Sequence, residues 1–169
     1  MKKTMLCLVL LICCSFVCSC SKKKESMSCE KIVKGAIEEV EDFPEYTVLA
    51  DMSDPMWEQH YKSMYLTEPD NVEDIYTVHA SESGKDMETE LAAIRYSSTD
   101  AAEKAVAVME KRQSSRYNDL KEYLADRDYV NDVLKMVEGT IIIQDNEYII
   151  YICCKDSEKA AEYCRKQLK

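Results

Sequence analysis

His60 and His79 are the two histidines of this 169-residue chain, and histidine is the most frequent general base in hydrolases. A serine or cysteine hydrolase brings a nucleophile, this base and an orienting acid together. Neither histidine lies in a recognisable motif, and the sequence contains no Gly-x-Ser-x-Gly nucleophile elbow. We therefore predict no catalytic residue, and we expect His79 to face solvent from a strand.

Met56, His60 and Met64 recur every four residues, so a helix would place them along one side. Thioethers and an imidazole are ligands that suit copper(I). The same spacing also serves packing, because methionine fills irregular gaps in a core. We favour packing, and we predict neither a metal site nor a cofactor.

Two acidic clusters, residues 70–74 and 126–128, offer carboxylates that could bind calcium. Neither has the spacing of an EF-hand loop, and the glycine that the tight turn needs is missing. Acidic residues are also favoured at the positive end of a helix dipole, which is the explanation we prefer. A pair of carboxylates could instead hydrolyse a glycosidic bond, but the sequence does not show which two acids would share a cleft.

Tyrosine is the dominant aromatic residue, with eleven copies against two phenylalanines and one tryptophan. Tyrosine is enriched in binding surfaces because it gives a large amphipathic contact area at a small entropy cost. It is equally common at the wet edge of small cores, which is the interpretation we favour. Six tyrosines near the ends of predicted elements could line a groove: Tyr61, Tyr65, Tyr76, Tyr96, Tyr117 and Tyr123.

The N-terminal segment is predicted to direct export. An apolar run at residues 5–17 follows two lysines and precedes small residues, which is the order of an export signal. As a helix the run would rise only about 20 Å, short of a hydrocarbon core about 30 Å thick. We therefore predict a signal peptide at residues 1–19 and no permanent membrane span.

The end of this segment, Val17-Cys18-Ser19-Cys20, resembles a bacterial lipoprotein signal. The resemblance implies that Cys20 receives a diacylglyceryl group, although Ala, Ser or Thr is more usual than Cys at the second place. Two acyl chains would hold the protein on the membrane firmly. The lysines at positions 22–24 would then lie over anionic headgroups, or form part of a solvated linker. An ordinary secretory signal without lipidation is the alternative.

Cysteines beyond residue 20 do not form a recognisable ligand set. Their spacing matches no zinc pattern, and two neighbours on a strand point to opposite faces. Export permits a disulfide, for instance between Cys164 and either Cys153 or Cys154, but we favour buried thiols. The sequence leaves open the redox state of Cys29, Cys153, Cys154 and Cys164.

The composition indicates one compact acidic domain. Removal of residues 1–19 takes two lysines away and leaves 150 residues, with 20 basic against 32 acidic and a net charge of −12. Such a length normally forms one core. The acidic excess argues against nucleic acid as a partner and favours solubility and cationic partners. The chain has only three glycines and three prolines, which excludes the disordered and collagen-like classes of protein.

The spacing of apolar residues, together with residues that end helices and strands, predicts the secondary structure. Helical spacing and caps indicate helices at residues 29–43, 55–64, 100–117, 127–137 and 156–168. Candidate strands lie at residues 75–81 and 88–96. The clearest signal is a hairpin at residues 140–152, in which β-branched and aromatic runs flank Asp145-Asn146. Both runs are apolar on both faces, which predicts central, covered strands.

A weak internal repeat relates residues 90–105 to residues 147–160, so that each half is a hairpin followed by a helix. Chance similarity of strand-then-helix segments is the competing explanation. We predict an α+β fold: an antiparallel sheet of about four strands, with helices packed on one face and N-terminal helices before it. A polar tether at residues 20–28 would precede a single domain at residues 29–169.

From Met64 to the C-terminus the order of signals resembles a domain family of unknown function found in exported lipoproteins of Bacillota. The matching pieces are residues 64–70, 90–94 and 100–104, then Tyr123, then residues 146–149. Asn146 stands where members usually have glycine, which changes turn strain but not the hairpin. The resemblance implies location and architecture, and no activity comes with it.

These observations predict a lipoprotein on the outer face of the cell membrane, acting as a non-enzymatic binding or adaptor module. Its partners would be the membrane, through the lipid anchor, and an unidentified protein or small ligand, with no nucleic acid. The alternative is a cell-envelope hydrolase that uses carboxylates. A deep pocket holding two carboxylates of raised pKa would favour that alternative.

Overall fold

The computed structural model describes residues 26–81 and 83–169. The predicted signal peptide, Cys20 and the lysines at positions 22–24 lie outside the described residues. In chain order the elements are α1 (Cys29–Glu38), β1 (Tyr46–Asp51), α2 (Trp57–Tyr65), β2 (Val72–Ala80), β3 (Glu90–Tyr96), α3 (Thr99–Tyr123), α4 (Val130–Glu138), β4 (Ile141–Asp145), β5 (Tyr148–Cys153) and α5 (Ser157–Leu168).

The five strands form one antiparallel sheet in the order β1-β2-β3-β5-β4. The α+β class and the antiparallel sheet are confirmed. The predicted number of about four strands is too low because β1 was not predicted. β5 is central, as expected, but β4 lies at an edge, where it pairs with β5.

Helices cover both faces of the sheet, so the prediction of helices on one face is wrong. Tyr76 and Val78 of β2 share a core with α1 and α5, which we call the α1/α5 face. Ile75, which precedes Tyr76 and so points to the opposite side of the sheet, belongs to a second core with α2, α3 and α4, which we call the α2–α4 face. The reason lies in β3 and β5, whose apolar side chains are buried on both sides and therefore need two covering layers.

The proposed repeat survives as connectivity but not as symmetry. β2, β3 and α3 form one hairpin followed by a helix, and β4, β5 and α5 form the other. The two helices lie on opposite faces, since Met109 of α3 belongs to one core and Ala160 of α5 to the other. If a twofold axis perpendicular to the sheet related the two hairpin–helix units, α3 and α5 would lie on the same face.

Local signals explain where the helices begin and how closely they pack. The side chain of Ser28 caps α1 by accepting a hydrogen bond from the Lys31 amide at 3.3 Å. Ser98 caps α3 in the same way by accepting from the Ala101 amide at 3.2 Å, so α3 begins at Thr99, one residue before the predicted start at residue 100. Gly35 lets α1 approach α5, because a Cβ at that position would lie 1.9 Å from a side-chain oxygen of α5.

Candidate functional site

The N-terminal end of the described chain is attached at one end of the sheet. The Tyr148 hydroxyl donates a hydrogen bond to the carbonyl oxygen of Met27 at 2.7 Å. The backbone N–H of Cys29 donates to Asp74 Oδ2 at 2.8 Å. Tyr148 begins β5 and Asp74 lies near the start of β2, so both contacts are at the end of the sheet where β3 finishes. We call this end the tether pole.

A cleft lies at the opposite end, which we call the cleft pole. It has a volume of about 810 Å³ and is formed by the β2–β3 loop, the end of α4 and the beginning of α5. Glu90 pairs with Cys153 at this end, and Ile141 pairs with Ile152. The charged side chains that line the cleft are Lys85, Lys135, Lys155 and Lys159 and also Asp86, Asp132, Asp156 and Glu158.

This balance of charge differs from the acidic excess of the whole chain. Met136, Ile141 and Cys154 add apolar and thiol surface between the charged groups. A concave surface with a few apolar side chains and charges of both signs suits a polar ligand or a protein segment that carries both charges. The cleft is therefore the candidate binding site.

The cleft thiol is not a nucleophile at neutral pH. Cys154 is only 3% exposed, and burial raises its pKa to about 11. A thiol attacks as the thiolate, so a raised pKa leaves it inert. The neighbouring Ser157 donates its hydroxyl hydrogen to the Cys154 carbonyl at 2.7 Å, which fixes the turn into α5.

A buried ion-pair network lies on the α2–α4 face, beneath α3. Glu90 is fully buried and accepts two hydrogen bonds from Arg112, from Nε at 3.0 Å and from Nη2 at 2.5 Å. Arg116, one turn further along α3, lies 3.3 Å from the same carboxylate and pairs with Glu88 at 2.7 Å. Each arginine also contacts an oxygen outside the pairs, Arg112 the Met64 carbonyl and Arg116 the Tyr151 hydroxyl.

This network holds Glu90 in the charged form. Burial alone would raise the pKa of Glu90, but the charges of Arg116 and Arg112 and the hydrogen bonds from Arg112 outweigh burial. The pKa of Glu90 therefore lies below its ordinary value. A general acid of a glycosidase needs a raised pKa, so the lowered pKa of Glu90 does not suit the general acid that the hydrolase alternative requires.

Tyrosines surround the network. The guanidinium of Arg112 lies 5.3 Å from the ring centre of Tyr65, and the hydroxyl of Tyr61 lies 3.0 Å from that of Tyr96. Burial raises the pKa of Tyr65, Tyr61 and Tyr96. Within residues 26–81 and 83–169, the buried hydroxyl oxygens of Tyr65 and Thr77 have no hydrogen-bond partner.

The six tyrosines considered as a groove do not gather on one surface. Tyr61, Tyr65 and Tyr96 are buried together in the core of the α2–α4 face, and Tyr76 is buried in the other core. Tyr123 is 76% exposed at the end of α3. Most of these tyrosines are therefore core residues with a polar tip, as the interpretation that we favoured requires.

Met56, His60 and Met64, which recur every four residues, lie along α2, with Met56 at its N-cap position. Met64 packs against the core of the α2–α4 face, whereas Met56 is 47% exposed. His60 is half-buried, with its Nε2 atom 3.7 Å from an Asp54 carboxylate oxygen. The structure therefore gives the three side chains different environments, and only Met64 is a packing residue.

His79 and the acidic clusters have structural partners. His79 is half-buried on β2 rather than turned fully to solvent, with Nδ1 3.0 Å from the Ala80 carbonyl. In the first cluster, Asp74 accepts the hydrogen bond from α1 and Glu73 pairs with Arg95. The second cluster lies exposed between α3 and α4.

The four cysteines beyond the tether are buried, and their thiols are free. Burial raises the pKa of each, to about 12 for Cys164. In the part of the chain that the structure describes, no three histidine, cysteine or acidic side chains are grouped as metal ligands. Among the same residues no helix is both long and apolar enough to cross a membrane.

No protein-family model, no curated protein and no solved structure matches this chain. The resemblance to the Bacillota lipoprotein family therefore stays a prediction. The arguments about function depend on the geometry described above.

Proposed function

We propose that this chain is an exported lipoprotein, anchored through acyl chains on Cys20, that acts outside the cell membrane as a non-enzymatic binding or adaptor module. One observation supports this most directly. The first described residues are attached at the tether pole, and the candidate cleft of about 810 Å³ opens at the cleft pole. An anchor on Cys20 would then hold the tether pole towards the bilayer and leave the cleft accessible to partners.

The length of the tether is consistent with this arrangement. Seven residues lie between Cys20 and Ser28, and the eight steps that join the two Cα atoms can span at most about 28 Å. The three lysines at positions 22–24 would remain near anionic headgroups, where each adds about 1 kcal/mol of attraction.

The non-enzymatic part of the proposal is supported by the state of the reactive groups. Glu88 and Glu90 are paired with arginines, and the thiol of Cys154 is held neutral by burial. These groups have partners or environments that suit stability rather than proton transfer or nucleophilic attack. The cleft instead offers charges of both signs, which suits recognition.

Metabolic labelling tests the anchor. Cells expressing the parent chain, Cys20→Ala or Cys18→Ala are grown with radioactive palmitate, and the immunoprecipitated protein is counted. We expect label in the parent chain and in Cys18→Ala, which is the matched control, and none in Cys20→Ala. Equal label in Cys20→Ala and the parent would overturn the anchor.

Site-specific photo-crosslinking tests the binding role. A photoreactive amino acid replaces Lys155 at the cleft pole or, as a control, the exposed Glu122 on α3. We expect discrete adducts in intact cells from position 155 and not from position 122. The absence of adducts from position 155, together with turnover of a cell-envelope substrate by the purified chain, would favour the hydrolase instead.

A further inference from the structure

β1 forms one edge of the sheet and is the less covered of the two edges. β4, at the other edge, packs against α3 and α5 and is at least half-buried throughout. β1 packs against α2, and three of its six residues are exposed. Edge strands in soluble proteins are usually protected by a lysine, a proline or an inward charge. Pro44 precedes β1, Asp51 ends it and a bulge interrupts its pairing between Val48 and Ala50, but the stretch from Tyr46 to Val48 carries no lysine, proline or charge.

The hydrogen bonds of β1 and β2 show which backbone groups face outward. The N–H of Ser81 donates to the carbonyl of Glu45, so Glu45 and then Thr47 direct their backbone groups towards β2. The N–H of Ala80 donates to β3, which places Ala80 and its partner Tyr46 in a pair without mutual hydrogen bonds. By the same alternation, Tyr46 and Val48 direct their N–H and C=O groups away from β2, towards the open edge.

The side chains of these two residues are exposed as well. Tyr46 and Val48 lie opposite Ala80 and Val78, so they project on the α1/α5 face. Tyr46 is 36% exposed and Val48 is 46% exposed. Phe43, immediately before the strand, stands edge-to-face with Tyr46 at 5.9 Å between ring centres. An added strand would therefore find both backbone partners and apolar contacts.

The chain around β1 is strongly acidic. Residues 35–61 carry eight carboxylates and neither lysine nor arginine. Among the described ion pairs, Glu41 and Glu45 take no part, and both are exposed. Lys34, the nearest lysine before this segment, is already paired with Glu30 at 2.6 Å. Lys85 and Lys155 share a small cavity of about 100 Å³ with Glu41, at the end of the edge nearest the cleft.

We propose that β1 binds an extended basic segment of another protein as an added strand at the edge of the sheet. The backbone of that segment pairs with Tyr46 and Val48, its apolar residues pack on their side chains, and its lysines or arginines face the surrounding carboxylates. This is strand addition to an open edge, in which the main chain gives affinity and the side chains give specificity. A second copy of this chain is the wrong partner, because it would bring two acidic segments together.

The proposal goes beyond the lipid anchor and the cleft, and it does not depend on either. Its test uses the full-length chain in detergent and a capped heptapeptide in which lysine alternates with valine or threonine. Two control peptides have the same length. One alternates lysine with proline, which keeps the charge but cannot pair as a strand, and the other replaces every lysine with glutamate.

Affinity and amide exchange are measured together. We expect the lysine–valine peptide to bind at least about tenfold more tightly than either control, because it alone offers both strand pairing and charge. Its binding should slow hydrogen exchange at the amides of Tyr46 and Val48. The amide of Thr47 already faces β2, so its exchange should change least.

Two pairs of variants locate the interaction. Val48→Pro removes an outward N–H and should weaken binding about tenfold, whereas Val48→Thr keeps the N–H and should bind like the parent. Glu41→Lys with Glu45→Lys should weaken binding to a similar extent. The matched control, Glu103→Lys with Glu122→Lys, changes exposed acids on α3 and should have little effect.

Circular dichroism and a thermal melt confirm that each variant is folded before its affinity is compared. Equal binding of the lysine–proline peptide would show that charge alone is responsible and would overturn the proposal. Absence of binding by the lysine–valine peptide, or exchange protection at β4 instead of β1, would overturn it too. None of these results affects the palmitate experiment, so failure here and failure of the anchor are distinguishable.

Discussion

Glu90 is a fully buried carboxylate, and a buried charge is costly unless it is paired. A fully buried carboxylate is tolerated because Arg112 and Arg116 neutralise it and Arg112 donates two hydrogen bonds to it. Arg112 and Arg116 are themselves nearly buried, so the network works only when all its members are present. Removal of one member leaves an uncompensated buried charge, which costs more than the intact pair contributes.

Glu90→Gln should destabilise the domain by about 3 to 5 kcal/mol, since Arg112 would lose its charged partner in a buried place. The measurement is urea unfolding at pH 7, followed by circular dichroism. The control is Glu103→Gln on the exposed side of α3, which should change the unfolding free energy by less than about 0.5 kcal/mol. Equal stability of Glu90→Gln and the parent would contradict the role of the network.

Lowering the pH should remove the stabilisation that the charged form of Glu90 contributes to the folded domain. The pKa of Glu90 is lower in the folded chain than its ordinary 4.5, so its contribution is complete above that value and is lost as the pH falls towards the folded pKa. The difference in unfolding free energy between the parent and Glu90→Gln should therefore stay constant above pH 5 or so and shrink below it. A difference that grows as the pH falls would mean that the pKa is raised instead.

The buried thiols should be unreactive while the domain is folded. Burial raises the pKa of Cys29, Cys153, Cys154 and Cys164 and removes them from reagents. We expect iodoacetamide at pH 7.5 to leave these four unmodified in the native protein and to alkylate them in urea. Mass spectrometry of the peptides gives the result for each cysteine, and rapid native alkylation of Cys154 would contradict its burial.

The network could have been found from the sequence only in part. Arg112 and Arg116 are one helical turn apart, which places them on the same side of α3, and Glu90 begins an apolar strand. The sequence does not show that this side of α3 faces the start of β3, because that depends on which face α3 covers. Most of the six tyrosines belong to the two cores, as the favoured interpretation expected from the frequency of tyrosine at the edges of small cores, whereas Tyr123 is exposed.

At the scale of elements, the hairpin of β4 and β5 was the most predictable feature. Asp145 and Asn146 tolerate tight turns, and the structure places Asn146 at a φ of 51° with its side chain donating to Asp145 Oδ1 at 2.6 Å. The long helix α3 and the terminal helix α5 were also predicted, because their caps and apolar spacing are local properties.

Asn146→Ala should destabilise the hairpin by about 1 to 2 kcal/mol, because alanine is strained at a positive φ. Asn146→Gly should stay within about 0.5 kcal/mol of the parent, since glycine adopts this φ freely even though the side-chain hydrogen bond is lost. Thermal unfolding of the two variants side by side is the measurement. Greater destabilisation by glycine than by alanine would show that the Asn146 side chain, and not its backbone, sustains the turn.

β1 and the two-sided cover were missed for different reasons. β1 follows Pro44 closely and is flanked by Glu45 and Asp51, so its short run of strand-forming residues was not separated from the loop around it. The burial of β3 on both faces was encoded in its poor alternation from Leu91 to Ile94. An apolar run without alternation is typical of a strand that is covered on both faces.

For the whole molecule, the proposed lipid anchor on Cys20 would hold the tether pole near the bilayer and keep the cleft pole away from it. β3 joins the two poles and spans about 20 Å over its seven residues. That distance is large enough to resolve by energy transfer from the protein to the membrane surface. The sequence predicted the anchor but not this orientation, which depends on where Met27 and the cleft lie on the sheet.

The most direct test places one donor dye at either pole of the lipidated chain in vesicles whose headgroups carry an acceptor. Ser97→Cys, exposed just after β3, labels the tether pole, and Lys155→Cys labels the cleft pole, while the buried native thiols stay unlabelled. The account predicts strong energy transfer from position 97 and clearly weaker transfer from position 155. Equal transfer from both positions, or stronger transfer from position 155, would contradict it.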